Sequence, residues 1–247
     1  AVFADPGQRL QCASRLVADR LCAQYGVDRE RILLLPNAVD ASRFDASRQQ
    51  VAAQALRREV DAEAETIWLF PASGWHRKGL DLCLDALARC TDPGLHLWIA
   101  GRDTPGSWQR RARRAGIAER VRFLGPRRDL EVVYAAVDGM LLPTRYDAFA
   151  NVTFEAAAAG LPIVTSSANG AAEWLSRDAC HVVDQPDGPS LAAALRTLAT
   201  TDARRKLGDA ARREIAAYAW PGHVAALRAE YARIVSSRSE RTRQVPH

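Results

Sequence analysis

From about residue 67 onward the chain repeats one pattern: a short apolar run, a helical stretch, then another apolar run. The runs fall at residues 67–71, 95–100, 121–124, 139–142, 162–165 and 181–183, and each reads as a strand. Between them, residues 80–89, 108–115, 130–136, 152–159 and 171–175 read as helices. In the first of these, Leu80, Cys83, Leu84, Leu87 and Ala88 recur at intervals of three and four, which lines one helix face with apolar groups. Strand, helix, strand repeated this often predicts an α/β fold built on a doubly wound parallel sheet.

The ends depart from this pattern. Residues 10–13 read as a weak strand, 14–25 as a helix and 32–35 as a strand closed by the turn Pro36-Asn37-Ala38. Residues 46–64 are helical in composition and read as a connector. From Pro189 to about Ser237 the chain is nearly all helix, with an expected break at Trp220-Pro221-Gly222. The Arg-rich stretch 236–247 is expected to fray. The length of 247 residues allows one large domain, or one domain and part of another. Beginning with Ala1 and holding a single methionine, Met140, the chain reads as a fragment whose natural start lies upstream.

Composition narrows the function classes. Hydrophobic content of 48% with 26% charged residues excludes bulk disorder. No apolar stretch is long enough to span a membrane, and residues 1–10 do not read as a signal peptide. Cys12, Cys22, Cys83, Cys90 and Cys180 are odd in number and form no C-x-x-C, so reduced structural thiols are expected. A net charge of +5 permits an anionic ligand or membrane surface without requiring one. Only two of the 34 basic residues are lysines, Lys78 and Lys206.

In an open parallel sheet, ligands bind beyond the carboxyl ends of the strands, near helix N-termini. The segments in that position are 72–79 (ASGWHRKG), 101–105 (GRDTP), 125–129 (GPRRD) and 143–155 (PTRYDAFANVTFE). All four carry arginine and the first also carries Lys78, which suits a phosphate. Arg77 and Lys78 precede a helix N-terminus, where cations oppose the macrodipole and a bound anion would reverse that penalty. Asp147 and Glu155 stand eight residues apart. If the helix starts near Asn151, the amides of Ala150 to Thr153 point into the crevice. Spacing alone leaves Glu155 readable as a dipole-stabilising acid and Asp147 as a solvated loop residue.

The run PTRYDAFANVTFEAAAAGLPIVTS (143–166) resembles the E-x7-E segment of retaining glycosyltransferases of family 4, which adopt the GT-B fold. LLLPNAVDASRF (33–44) is similar to the family's IPNGVD…F linker, and FPASGWHRKGLD (70–81) to its glycine-loop and KG segment. The order and spacing agree over roughly residues 10–235, and the ERKGLD-like and NVTFEA-like pieces most resemble the lipopolysaccharide core glucosyltransferases. The chain departs from the pattern in three places: the first acid is Asp147, the arginine usual six residues before the lysine is Ala72, and the linker has Asn37-Ala38. Arg77 is the candidate to supply the missing charge.

The resemblance implies a Rossmann-like C-terminal domain of a GT-B fold with a helical C-terminus. Residues 1–46 would be the last segment of an acceptor-side domain and its linker, 47–219 the donor-binding domain, and 220–247 a helix and basic tail. By the family pattern Glu155 would hold the ribose of a nucleotide sugar, Asp147 the hexose, and Arg77, Lys78 and the amides near Asn151 and Val152 the diphosphate. Gly74, Phe149 and Ala150 would complete the donor site, and Arg127 and Arg128 would flank the base. The implied partners are a nucleotide-sugar donor, with UDP-glucose favoured, and a saccharide or lipopolysaccharide-core acceptor. No cofactor is implied, and with no D-x-D in the chain no metal site is expected. The implied setting is cytoplasmic. A binding module that has lost catalysis is the alternative. A dinucleotide oxidoreductase lacks its G-x-G-x-x-G here, and nucleic acid is not an expected partner. Arg110–Arg114, Arg204–Lys206 and Arg238–Arg243 are explained by solvated helix faces; peripheral contact with an anionic membrane, Trp108 seated in its interface, is the other reading they allow.

Overall fold

A computed structural model describes residues 8–62 and 65–243, with side chains as far as residue 236. Six strands, β3 (Thr66–Pro71), β4 (Leu95–Ala100), β5 (Val121–Gly125), β6 (Gly139–Leu142), β7 (Ile163–Ser166) and β8 (His181–Val183), form one sheet in which every pairing is parallel. Their order is β5-β4-β3-β6-β7-β8. β1 (Leu10–Cys12) and β2 (Ile32–Leu34) pair in a separate parallel sheet. The central strands are apolar on both faces because helices cover both: Ile67 through Pro71, and all four residues of β6, are buried.

The helices are α1 (Arg15–Tyr25), α2 (Ala46–Glu59), α3 (Trp75–Lys78), α4 (Leu80–Ala88), α5 (Gly106–Arg114), α6 (Leu130–Ala135), α7 (Asn151–Ala158), α8 (Gly188–Thr197), α9 (Thr201–Ile215) and α10 (Trp220–Arg243). α2 packs on α6, α4 on α8 and α7 on α9. Local chemistry sets their ends: the Ser14 side chain accepts from the Val17 amide ahead of α1, and Asp187 and Ser190 form a reciprocal capping box at α8.

The chain steps outward from β3 through β4 to β5, then returns to lay β6 on the other side of β3. The connections diverge at β3 and β6, leaving a crevice beyond their carboxyl ends, the usual ligand position of a doubly wound sheet.

Four local expectations need correction. Residues 171–175 form only a 3-10 turn at Ala172–Trp174, too short for a helix between β7 and β8. Trp220-Pro221-Gly222 does not interrupt the final helix but begins it, since proline is tolerated in a first turn; the interruption is the 3-10 turn Ala216–Tyr218. The helix continues through Arg243 rather than fraying from 236, and residues 244–247 of the expected tail lie outside the described residues. Within 72–79, read as a loop, Trp75–Lys78 form a helical turn.

Candidate functional site

The segments following β3 and β6 touch across the switch point, and Gly79 permits it. Gly79 joins α3 to α4 with φ +85°, and a Cβ there would lie 2.3 Å from the Pro143 carbonyl oxygen. Beside this contact the Arg77 carbonyl accepts from the Arg145 amide at 2.9 Å and the Thr144 hydroxyl at 3.3 Å. The Arg77 guanidinium donates to the Tyr146 carbonyl at 2.7 Å. Arg145 forms a two-pronged pair with Asp81, at 2.8 and 2.7 Å, and donates to the His76 carbonyl. This clamp brings the Lys78 ammonium onto the Asp147 carboxylate. Both side chains are nearly buried, at 12% and 13% exposure. Burial, with the adjacent Arg77 charge, pushes the Lys78 ammonium down to about 8.

Asp147 is held on its other side by the turn after β7. Its amide donates to the Ala168 carbonyl and its carbonyl accepts from the Gly170 amide, both at 2.9 Å, while its other carboxylate oxygen accepts from the Phe149 amide at 3.1 Å. Asn169, fully buried, organises that turn. Its carbonyl oxygen accepts from the Ala150 and Ala171 amides, and its amide nitrogen donates to the Thr153 and Thr165 hydroxyls. Two of the four amides expected in the crevice are therefore engaged: Ala150 on Asn169, and Thr153 on the Ala150 carbonyl at 2.9 Å. Those of Asn151 and Val152 remain, at an N-terminus that no side chain caps. Phe149 faces inward, edge-on to Phe154 at 4.9 Å, rather than toward the crevice. The Asn151 side-chain oxygen accepts from Asn37 at 2.8 Å.

Glu155, one turn into α7, accepts from the Tyr134 hydroxyl at 3.0 Å. It lines a cavity of about 330 Å³ together with Arg43, Phe44, Asn151, Trp220 and His223. Burial raises its carboxyl above the usual range, opposed by the Tyr134 hydrogen bond. A second cavity, about 460 Å³, opens beyond β3, β4 and β5 and is lined by Ser73, Gly101, Arg102, Arg127 and Arg128. Arg127 is paired in two-pronged fashion with Asp129 at 2.9 and 2.6 Å.

Three contributors escaped sequence reasoning. Asp103 accepts from the Gly74 and Trp75 amides, at 2.7 and 3.2 Å, and so occupies the start of α3. Asn169 carries a turn signal, Asn-Gly after a strand, but nothing in that pair announces its four partners. Tyr134 sits in an apolar helix pattern, where a core role is the default. Trp108, which the alternative membrane reading would seat in a bilayer interface, packs edge-on to Trp75 at 6.2 Å. The N-terminal elements flank the site: Ser14 donates to the Ala148 carbonyl at 2.7 Å, and the Arg20 guanidinium lies 4.1 Å from the Tyr146 ring centre. Among the described residues, all five cysteines are free thiols, no three His, Cys, Asp or Glu side chains cluster as a metal site, and no helix is long and apolar enough to cross a membrane.

A family model described as glycosyl transferases group 1 matches residues 65–201, more than half of the chain and the span that holds Lys78, Asp147 and Glu155. The chain belongs to the group 1 glycosyltransferases. It is 33% identical over 242 residues to the D-inositol 3-phosphate glycosyltransferase of Geodermatophilus obscurus, covering 89% of this chain and 52% of the relative. With the lipopolysaccharide glucosyltransferase WaaG of Escherichia coli K12 it shares 29% identity over 164 residues, 64% of this chain and 44% of WaaG. The crystal structure of WaaG superposes with a TM-score of 0.75 at 26% identity, over 84% of this chain and 58% of WaaG. Anabaena HepE in complex with UDP-glucose superposes with a TM-score of 0.81 at 21% identity, over 94% of this chain and 64% of HepE. The six-stranded sheet is the Rossmann-like C-terminal domain of the GT-B fold. The chain spans about half the length of the curated relatives it matches.

Proposed function

We propose that this group 1 chain is the donor-binding half of a retaining hexosyltransferase. It takes a hexose from a nucleotide-diphosphate sugar, UDP-glucose first among the candidates, for a saccharide or lipopolysaccharide-core acceptor. The observation that carries the reading is the meeting of Lys78 with Asp147 at the switch point, ahead of the uncapped N-terminus of α7. Cations and open amides stabilise a diphosphate, and carboxylates orient sugar hydroxyls. In this reading Lys78, Arg77 and the Asn151 and Val152 amides hold the diphosphate. Glu155 accepts from the ribose hydroxyls inside its cavity, Asp147 holds hexose hydroxyls, and Gly74, Ala150 and Arg127 border the donor. HepE's complex with UDP-glucose and the glucosyltransferase name of WaaG support the choice of donor.

The bond from the hexose anomeric carbon to the β-phosphate oxygen breaks, and its electron pair leaves with the nucleotide diphosphate. The acceptor oxygen bonds to the same face of that carbon, and its proton passes to the departing phosphate oxygen. Lys78 and the α7 amides offset the charge that develops there. Neither Asp147 nor Glu155 protonates a leaving oxygen, so the pair does not work as a glycosidase pair. The residues that would select the acceptor belong to the remainder of a two-domain enzyme. Because the chain covers half of its relatives, a nucleotide-sugar binding module without catalysis of its own is the second reading.

Calorimetric titration with UDP, UDP-glucose, GDP and ADP, with and without magnesium, tests the proposal. The expected result is one-to-one, metal-independent binding of UDP and UDP-glucose, lost in Lys78→Met. Absence of binding by all four, or binding that Lys78→Met leaves intact, overturns it.

A further inference from the structure

At the amino ends of the strands, opposite the proposed donor edge, lies a cavity of about 230 Å³. Trp68, Leu95, Leu195 and Leu198 give it apolar walls. Arg204 of α9 also lines it and, contrary to the solvated face expected of Arg204–Lys206, is buried, at 8% exposure for the residue. One of its nitrogens donates to the Leu198 and Ala199 carbonyls, at 3.0 and 2.6 Å, and another to the Thr201 hydroxyl at 3.2 Å. All three acceptors are neutral. Among the described residues, Arg204 has no carboxylate within ion-pair distance. Leu198 is the C-cap of α8, so the negative end of that helix offsets part of the guanidinium's charge, and no carboxylate supplies the rest.

The other charges around the cavity do not supply a counter-anion. Arg196 of α8 is exposed on its lining and adds a second cation, without an ion pair among the described residues. Arg89 is already engaged with Asp85 at 3.3 Å. Asp92 is the one acid on the lining; it is exposed, and its carboxylate accepts from the Gly94 amide at 2.9 Å. Apolar walls, a buried unpaired guanidinium and a second arginine at the mouth therefore converge on one small space.

We infer that this cavity binds a small amphiphilic anion. A carboxylate or phosphate head pairs with Arg204 and Arg196, and a short apolar chain lies along Trp68, Leu195 and Leu198. The volume falls below the roughly 300–1,000 Å³ of sites that enclose drug-sized ligands, so the chain is a few carbons long. The inference is independent of the donor site, because no residue of this cavity has a part there.

Calorimetric titration of the whole chain with butanoate, hexanoate, butyl phosphate, inorganic phosphate and hexanol reads the idea directly. Expected is one saturable site, with hexanoate tighter than butanoate by about fourfold per added methylene, and hexanol at least tenfold weaker. Comparing butanoate with butyl phosphate tells which head the arginines prefer. Arg196→Ala, exposed and outside the core, is expected to weaken the anions about tenfold, and Arg204→Gln to abolish their binding. Should Arg204→Gln fail to fold, the Arg196→Ala result and the chain-length series decide the matter. No saturable binding by any organic anion overturns the inference. So does hexanol binding as tightly as hexanoate, inorganic phosphate binding as tightly as butyl phosphate, or Arg196→Ala binding as the parent does.

Discussion

Lys78 and Asp147 neutralise one another, and that pairing shapes what single substitutions do. Asp147 holds the ammonium that a diphosphate would need. Asp147→Ala is therefore expected to leave free UDP binding as tight or tighter while removing the extra affinity of UDP-glucose. Glu155→Ala, by contrast, loses ribose contacts common to both ligands and should weaken both about tenfold or more. Equal losses of free UDP in the two variants contradict this division. The titration of the same groups adds a pH signature. Below about 8 Lys78 carries its charge, and above it the free protein loses the cation that attracts the diphosphate. The dissociation constant for UDP is thus expected to rise by up to tenfold per pH unit above 8, and Lys78→Arg, whose charge does not titrate in this range, should flatten that limb. Glu155 acts in the opposite sense. Its carboxyl is raised by burial, so affinity also falls as mild acid protonates the acceptor of the ribose hydroxyls. Lys78, Asp147 and Glu155 became candidates through the family resemblance, because spacing alone left the two acids as a solvated loop residue and a dipole-stabilising one. Asp103, Tyr134 and Asn169 did not, because what they do depends on contacts made across 16 to 29 residues of chain.

At the scale of elements, the site stands on the contact between the α3–α4 junction and the start of the segment after β6. Gly79 is the position on which this contact depends. A methyl group there meets backbone, not a movable side chain, and φ of +85° is itself unfavourable for an L residue. Gly79→Ala is expected to cost about 1–3 kcal/mol, a fall in Tm of several degrees for a chain of this size. It should also weaken UDP binding, because Lys78 is the neighbouring residue. Unchanged melting and unchanged affinity would show that the two segments can separate freely. The six strands were legible because buried parallel strands are continuous apolar runs bounded by polar turns, and each observed strand matches its run to within a residue at either end. What failed was punctuation. Ala171 to Leu175 has helical composition, yet the Asn169 turn leaves room only for one 3-10 turn before β8. Trp220-Pro221-Gly222 contains two residues that interrupt helices, but proline and glycine at a first turn cost little. The KG segment read as loop because glycines flank it, while the four residues between Gly74 and Gly79 close a helical turn that sequence periodicity is too short to reveal.

For the whole molecule the open question is what meets its basic surface. Arg110, Arg111, Arg113 and Arg114 all lie exposed on α5. Among the described residues none of the four forms an ion pair, and only the Arg111 charge acts on a carboxylate, that of Asp81. Trp108, the one residue of that helix suited to seat in a bilayer interface, packs instead against Trp75 with the sheet behind it. α5 therefore has no apolar anchor to insert, and any adhesion to an anionic bilayer through it rests on charge alone. Each arginine near such a surface contributes about 1 kcal/mol at most, and salt screens it over about 10 Å at 0.1 M. The expected behaviour follows: weak partitioning onto phosphatidylglycerol vesicles at low salt, none at high salt, and none onto neutral phosphatidylcholine. Replacing the four arginines by alanine should abolish the low-salt partitioning without altering UDP affinity, because α5 carries none of the residues assigned to the donor. Partitioning that survives high salt would require an inserted apolar group that this helix does not offer. Partitioning equal in the parent and the fourfold variant would leave these arginines as a solvated face that keeps the chain dispersed.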